Sequence, residues 1–254
     1  MKEFKQDLLQ VKIFENRDLM GKCAAEDAAK VIRAMQAEKE ELNIIFAAAP
    51  SQNDTLFHLC QQEGIAWEKI NAFHMDEYIG LPQDAPQCFA RYLDEHIFQL
   101  KPFKSINYIN AATEDIQMEC ARYTQLLQEH KPDIVFMGIG ENGHIAFNDP
   151  GVADFQDSAL VKIAQLDDIC RNQQVNDGCF AEISLVPKYA LTLTVPALFG
   201  ADYLYCSVPC ATKAWAVNEM LNGTIDEHCP ASILRRHKNA ILYCDADSAG
   251  DLKL

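Results

Sequence analysis

Four short, almost uninterrupted apolar runs punctuate the chain, at residues 44–49, 134–137, 204–208 and 241–244. Strands covered by helices on both sides have no polar face, and this is the pattern they leave in a sequence. Between the runs the spacing changes. Met20, Ala24, Ala28, Val31 and Met35 fall on one side of a helix, as do Ile116, Cys120, Tyr123 and Leu127. Alternation of strand with helix predicts an α/β fold: a doubly wound, mostly parallel sheet with helices on both faces. No repeat, low-complexity stretch or linker divides the chain, so residues 1–254 are expected to form a single domain. One polar stretch, about 166–187, interrupts the later half with Asn172, Gln173, Gln174, Asn176, Asp177 and Gly178. Its length and polarity predict a lid over a site.

In open, Rossmann-like sheets ligands bind beyond the carboxyl ends of the strands, which singles out four segments. Ser51, Gln52, Asn53 and Thr55 follow the first apolar run and precede a helical stretch at 56–62. A helix start offers unpaired N–H groups that suit a phosphate; capping by Ser51 or Asn53 is the plainer alternative. Next, an extended run through Ile70 and Ala72 ends in Asp76 and Glu77. A carboxylate there is placed to act as a general base, although acids at strand ends are also ordinary loop residues.

The third segment, 138–150, spaces Gly138, Gly140 and Gly143 as a dinucleotide fingerprint does, but Asn148, Asp149 and Pro150 close it where a long helix should open. No nicotinamide cofactor is expected. What remains is a glycine turn presenting His144 between Glu141 and Asp149, acids able to fix an imidazole's tautomer. The spacing of His144 and Asp149 is not a recurrent zinc pattern, so no metal is expected. Fourth, Thr212 and Lys213 follow the run at 204–208 and open a helical stretch to Leu221. They suit a phosphate, or the lysine simply faces water.

Charge narrows the partners. With 22 Lys and Arg against 37 Asp and Glu, the net charge is −15, and no basic cluster interleaved with aromatics offsets it, so nucleic acid is not an expected partner. A phosphorylated ligand would need local cations, which draws attention to Lys213 and Arg171. No membrane span is expected, because no apolar run approaches about 18 residues. The ten cysteines, spread from Cys23 to Cys244 without paired spacing, read as thiols buried in a cytoplasmic protein.

Taken together, these segments resemble the glucosamine-6-phosphate deaminase/isomerase family. The likeness rests on His74-Met75-Asp76-Glu77-Tyr78 and on the Gly138 to Pro150 segment, in that order, then on 186–192, the Lys213 segment and 230–234. It implies aldose-to-ketose isomerisation of glucosamine 6-phosphate with loss of ammonia, giving fructose 6-phosphate and needing no cofactor. His144 would promote ring opening, with Glu141, Asn142 and Asp149 around it. Asp76 would carry a proton from C2 to C1. Lys213 and the loop of Ser51, Gln52, Asn53 and Thr55 would hold the phosphate, Gly140 and Gly143 would line the substrate, and Arg171 would act from the lid.

The chain departs from the family pattern in places. Ala49-Pro50-Ser51-Gln52-Asn53-Asp54 replaces a Thr-Gly-x-Thr-Pro loop, Asn142 replaces an aspartate of some members, and Asp149 replaces a glutamate. Asn176 stands where many members have a lid arginine. The basic pair of allosteric members is present only in part, through Lys162, so no activation by N-acetylglucosamine 6-phosphate is expected. A galactosamine-6-phosphate deaminase/isomerase, a 6-phosphogluconolactonase-type hydrolase and a non-enzymatic sugar-phosphate sensor stay open as alternatives. Assembly into a homo-oligomer is expected.

Overall fold

The apolar runs become the middle of a sheet. The computed structural model describes residues 1–253. Its strands are β1 (Lys2–Gln6), β2 (Leu9–Ile13), β3 (Leu42–Phe46), β4 (Ile70–His74), β5 (Asp76–Tyr78), β6 (Ser105–Asn107), β7 (Ile134–Met137), β8 (Val161–Gln165), β9 (Tyr189–Leu193), β10 (Tyr203–Val208) and β11 (Ala240–Cys244). The helices are α1 (Arg17–Gln36), α2 (Asn53–Cys60), α3 (Phe89–Leu93), α4 (Ile116–Glu129), α5 (Asp168–Asn176), α6 (Val195–Phe199) and α7 (Ala214–Asn222). Eight strands form the main sheet in the order β1-β2-β11-β10-β7-β3-β4-β6. All neighbours in it are parallel except the edge pair β1 and β2.

Side chains along each central strand alternate between two apolar layers, as the period of two requires. Ile44, Phe46, Ile134, Phe136 and Tyr205 pack beneath α1 and α2. Ile45, Val135, Met137, Leu204 and Cys206 face Tyr123 and Leu127 of α4 and Val217 and Met220 of α7. The predicted stripe on α1 holds at Met20, Ala24 and Ala28, which are buried; Val31 and Met35 lie at its half-buried edge. Gly21 lets α1 and α2 meet closely, since a Cβ there would sit 2.5 Å from Cβ of Asp54.

Three features differ from the expectation. A second, three-stranded antiparallel sheet, β5-β9-β8, lies beside the first. Its strands are short, and in sequence β5 is indistinguishable from a continuation of β4. Helix α2 starts three residues before the expected stretch, and neither Ser51 nor Asn53 caps it by a side chain. The polar segment 166–187 is partly helical, since α5 runs through it, capped by Asp167, whose carboxylate accepts the Cys170 N–H at 2.6 Å.

All ten cysteines are free thiols; six are buried, and Cys210 is exposed. Among the described residues no helix is long and apolar enough to cross a membrane.

Candidate active site

Strand order reverses between β3 and β7: from β3 the chain extends through β4 to β6, and from β7 through β10 to β11 and β2. The loops leaving the two halves part at this point and open a crevice. A cavity of about 270 Å³ lies there. Its walls come from the ends of four parallel strands: Ala47 to Ser51 after β3, Met75 and Asp76 after β4, Gly138 to Glu141 after β7, and Pro209 to Lys213 after β10. Helix α5 supplies Gln173, Gln174 and Asn176, with Asp177 just beyond.

The two adjacent acids at the end of β4 separate cleanly. The Glu77 carboxylate accepts backbone N–H groups of Tyr78 (3.0 Å), Phe89 (3.1 Å) and Ala90 (2.9 Å), so it anchors the start of α3. Asp76 lines the cavity and is 7% exposed. Burial pushes its carboxyl well above the ordinary carboxylate range, and the charge of Glu77 pushes the same way.

The bend that aims Asp76 is itself fastened. The Tyr123 hydroxyl spans the N–H and C=O of His74, at 3.1 and 2.9 Å. His74 Nδ1 donates to the Asp76 carbonyl at 3.0 Å while Nε2 accepts the Ile109 N–H at 2.8 Å. Burial lowers the His74 pKa to about 4, so this imidazole stays neutral and serves as a brace.

His144 lines the same cavity. Its Nδ1 lies 2.8 Å from Oδ1 of Asp149 and 2.8 Å from Oδ1 of Asn142, and the Asn142 amide donates to the same Asp149 oxygen at 3.0 Å. Although Asp149 is one methylene shorter than the glutamate of the family pattern, it still reaches the ring. Burial works to raise the Asp149 carboxyl, but the His144 hydrogen bond and charge, helped by Asn142, outweigh it and hold the group below its ordinary range. Held at Nδ1, the imidazole has Nε2 left for proton exchange.

Gly140 makes room for the ring. A Cβ there would lie 2.1 Å from Cε1 of His144 and 2.4 Å from Nε2. The ligating atoms of His144, Asp149 and Cys170 all fall within 4.8 Å of one another. Two ligands of one tetrahedral zinc sit roughly 3.3 Å apart, and the 2.8 Å between Nδ1 and Oδ1 is a hydrogen-bond length instead.

Lys213 lines the cavity as well. It is 5% exposed, and its Nζ is buried without a hydrogen-bond partner among the described residues. Burial lowers its pKa against the pull of Asp177 and Glu141. Such an ammonium is short of an anion.

Ahead of it Cys210 is held at φ +81° and ψ +144°, a region suited to glycine, while its N–H donates to both oxygens of Asp245 at 3.1 and 3.2 Å. The strain sets the turn that delivers Lys213. Cys210→Gly is therefore expected to raise stability by about 1 kcal/mol and the melting temperature by roughly 2–4 °C. A thermal melt decides it, and a variant melting at or below the parent would show that the turn is unstrained.

Of the residues the sequence singled out, Ser51, Asp76, Gly140, Glu141, His144 and Lys213 meet in the cavity. Asn142, Gly143 and Asp149 stand behind His144. Gln52 and Thr55 point inward instead: the Gln52 amide donates to the carbonyls of Met137 (3.2 Å) and Ser207 (3.3 Å), and Thr55 pairs with the Ser207 hydroxyl at 2.9 Å. Asn53 accepts the Tyr92 hydroxyl. These three stiffen the loop from behind.

Arg171 does not line the cavity. Its guanidinium donates to the carbonyls of Ile183 (2.7 Å) and Val186 (3.0 Å) and to Asp168 (3.1 Å), bracing α5 against the segment after it. Gln173, Gln174, Asn176 and Asp177, from the stretch expected to form a lid, line the cavity, and so does Arg17, which was not among the expected site residues. Arg17 follows β2, a strand of alternating rather than continuous apolar pattern, so a search beyond the apolar runs passes it by.

Residues 15–243 match the family model described as glucosamine-6-phosphate isomerases/6-phosphogluconolactonase. The glucosamine-6-phosphate deaminase of Lactobacillus delbrueckii subsp. bulgaricus is 30% identical over 245 residues, which cover 96% of this chain and 100% of the relative. A solved structure of a monomeric glucosamine-6-phosphate deaminase aligns with a TM-score of 0.85 at 30% identity, over 94% of this chain and 98% of that one. The 6-phosphogluconolactonase of Thermotoga maritima aligns with a TM-score of 0.75 at 19% identity, over 92% and 98%, and shares the fold. On sequence and fold together, the chain belongs to the glucosamine-6-phosphate isomerase/6-phosphogluconolactonase family.

Proposed function

We propose that this protein converts glucosamine 6-phosphate and water into fructose 6-phosphate and ammonia. The observation that carries this reading is the pairing, in one cavity, of a buried Asp76 carboxylate with a carboxylate-held imidazole at His144. The relatives named as glucosamine-6-phosphate deaminases support it. The charge layout also suits an amino-sugar phosphate: Lys213 for the phosphate, and Asp76, Glu141 and Asp177 for the ammonium.

His144 Nε2 takes the proton of the anomeric hydroxyl and delivers it to the ring oxygen as that leaves C1, which opens the sugar. The Asp76 carboxylate then removes the C2 proton, the electron pair of that bond forms the C1=C2 double bond of an enol, and a proton passes from the C2 ammonium to O1. Return of the proton from Asp76 to C1 leaves an iminium at C2. Water adds there and ammonia departs, giving the ketose. A base must be ionised to act, and a carboxyl raised toward the working pH abstracts a carbon-bound proton better than one of ordinary acidity. The segment of α5 is assigned as the lid that excludes water during the proton transfer.

The test is to supply glucosamine 6-phosphate and galactosamine 6-phosphate separately and to measure ammonia and ketose phosphate. Stoichiometric ammonia and fructose 6-phosphate from the gluco substrate are expected. Ammonia from the galacto epimer alone would transfer the assignment to that sugar, and ammonia from neither would overturn it.

A further inference from the structure

Arg17 occupies a place that the catalytic steps leave unused. It is the first residue of α1, packs over the loop after β3, and lines the cavity. One edge of its guanidinium is committed: Nε donates to Asp54 at 2.6 Å and Nη2 to the Pro50 carbonyl at 2.8 Å. Among the described residues Nη1 has only the Cys210 thiol, at 4.0 Å, and the side chain is 38% exposed. Cys210 lies three residues before Lys213, whose buried Nζ lacks a partner, and Ser51 completes the same wall. The loop here has Pro50, which cannot donate an N–H, so a dianion needs side-chain donors.

We propose that Arg17 is the second cation of the phosphate seat, offering its Nη1 edge to the phosphoryl oxygens opposite Lys213. The Asp54 and Pro50 contacts fix the guanidinium plane before ligand arrives, so little side-chain entropy is lost on binding. This assignment rests on the sugar-phosphate reading of the cavity.

The test compares Arg17→Gln, Arg17→Lys and Asp54→Asn in the full-length protein. It measures KM and kcat for glucosamine 6-phosphate, and the affinity of inorganic phosphate by calorimetry. Arg17→Gln is expected to raise KM and weaken phosphate binding about 10- to 100-fold, with kcat within about threefold. Arg17→Lys recovers part of both. Asp54→Asn keeps the cation and an amide oxygen to hold Nε but removes the competing negative charge, so KM and phosphate affinity stay at or better than the parent values.

A KM within about twofold of the parent in Arg17→Gln, or an equal loss in Asp54→Asn, would make Arg17 a brace between α1 and the loop and overturn the proposal. Should Arg17→Gln fail to fold, the other two variants decide by the same criteria. A parent protein that binds phosphate through Arg17 yet releases no ammonia would contradict the deaminase reading and leave this assignment standing.

Discussion

Asp76→Asn is expected to lower kcat by about 10³-fold while leaving the protein as stable as before or more so. The first half follows from the role proposed for the carboxylate, because an amide cannot take the C2 proton and a positioned base contributes roughly 10²–10⁴. The second follows from burial. A carboxyl whose pKa is raised in the folded state has its charged form disfavoured there, so at neutral pH the ionised side chain costs stability that the isosteric amide does not. The same shift sets the pH profile. Only ionised Asp76 accepts a proton, so activity falls as pH drops through its raised pKa, well above the range of an ordinary aspartate. Steady-state kinetics with thermal melts check all three. A variant that loses activity by unfolding, or keeps more than about a tenth of it, contradicts the assignment.

Gly140→Ala should be the second most damaging change. The added methyl would fall 2.1 Å from Cε1 and 2.2 Å from Nδ1 of His144, closer than non-bonded atoms come. The ring cannot retreat freely, because Asp149 and Asn142 each hold Nδ1 at 2.8 Å. Displacement of the imidazole by about 1 Å is expected to lower kcat about 10²-fold, with a stability loss of roughly 1–3 kcal/mol from overpacking. Because the role proposed for His144 is on the closed ring, the affinity of an acyclic amino-alditol 6-phosphate should change little. Equal losses in turnover and in acyclic-ligand affinity would show that Gly140 shapes the substrate seat instead.

These two positions also show what a sequence can and cannot display. The parallel sheet was legible because strands covered on both sides must be apolar throughout, as at Ile44, Ile45 and Phe46. The carboxyl-end rule then placed Asp76, His144 and Lys213 near one another, and the structure joins them in one cavity. Which of two neighbouring acids faces that cavity was not legible. It depends on where the chain leaves β4, a bend held by Tyr123 and Ile109 from distant segments.

Arg171 misled for a related reason. A cation in a polar segment looks available until its tertiary partners are known, and here they are the backbone carbonyls of Ile183 and Val186. Arg17 was invisible for the converse reason. Its proximity to the Lys213 segment comes from the carboxyl ends of the parallel strands β2 and β10 lying at the same end of the sheet with β11 between them, which brings Arg17 to Cys210, nearly 200 residues away in the chain.

The most direct test of the central claim is to run the reaction in ordinary water with glucosamine 6-phosphate deuterated at C2 and to examine the products by NMR. Proton transfer through Asp76 by way of an enol predicts ammonia together with fructose 6-phosphate carrying deuterium at C1, and loss of both in Asp76→Asn. Failure to form ammonia, with hydrolysis of 6-phosphogluconolactone by the same preparation, would contradict it.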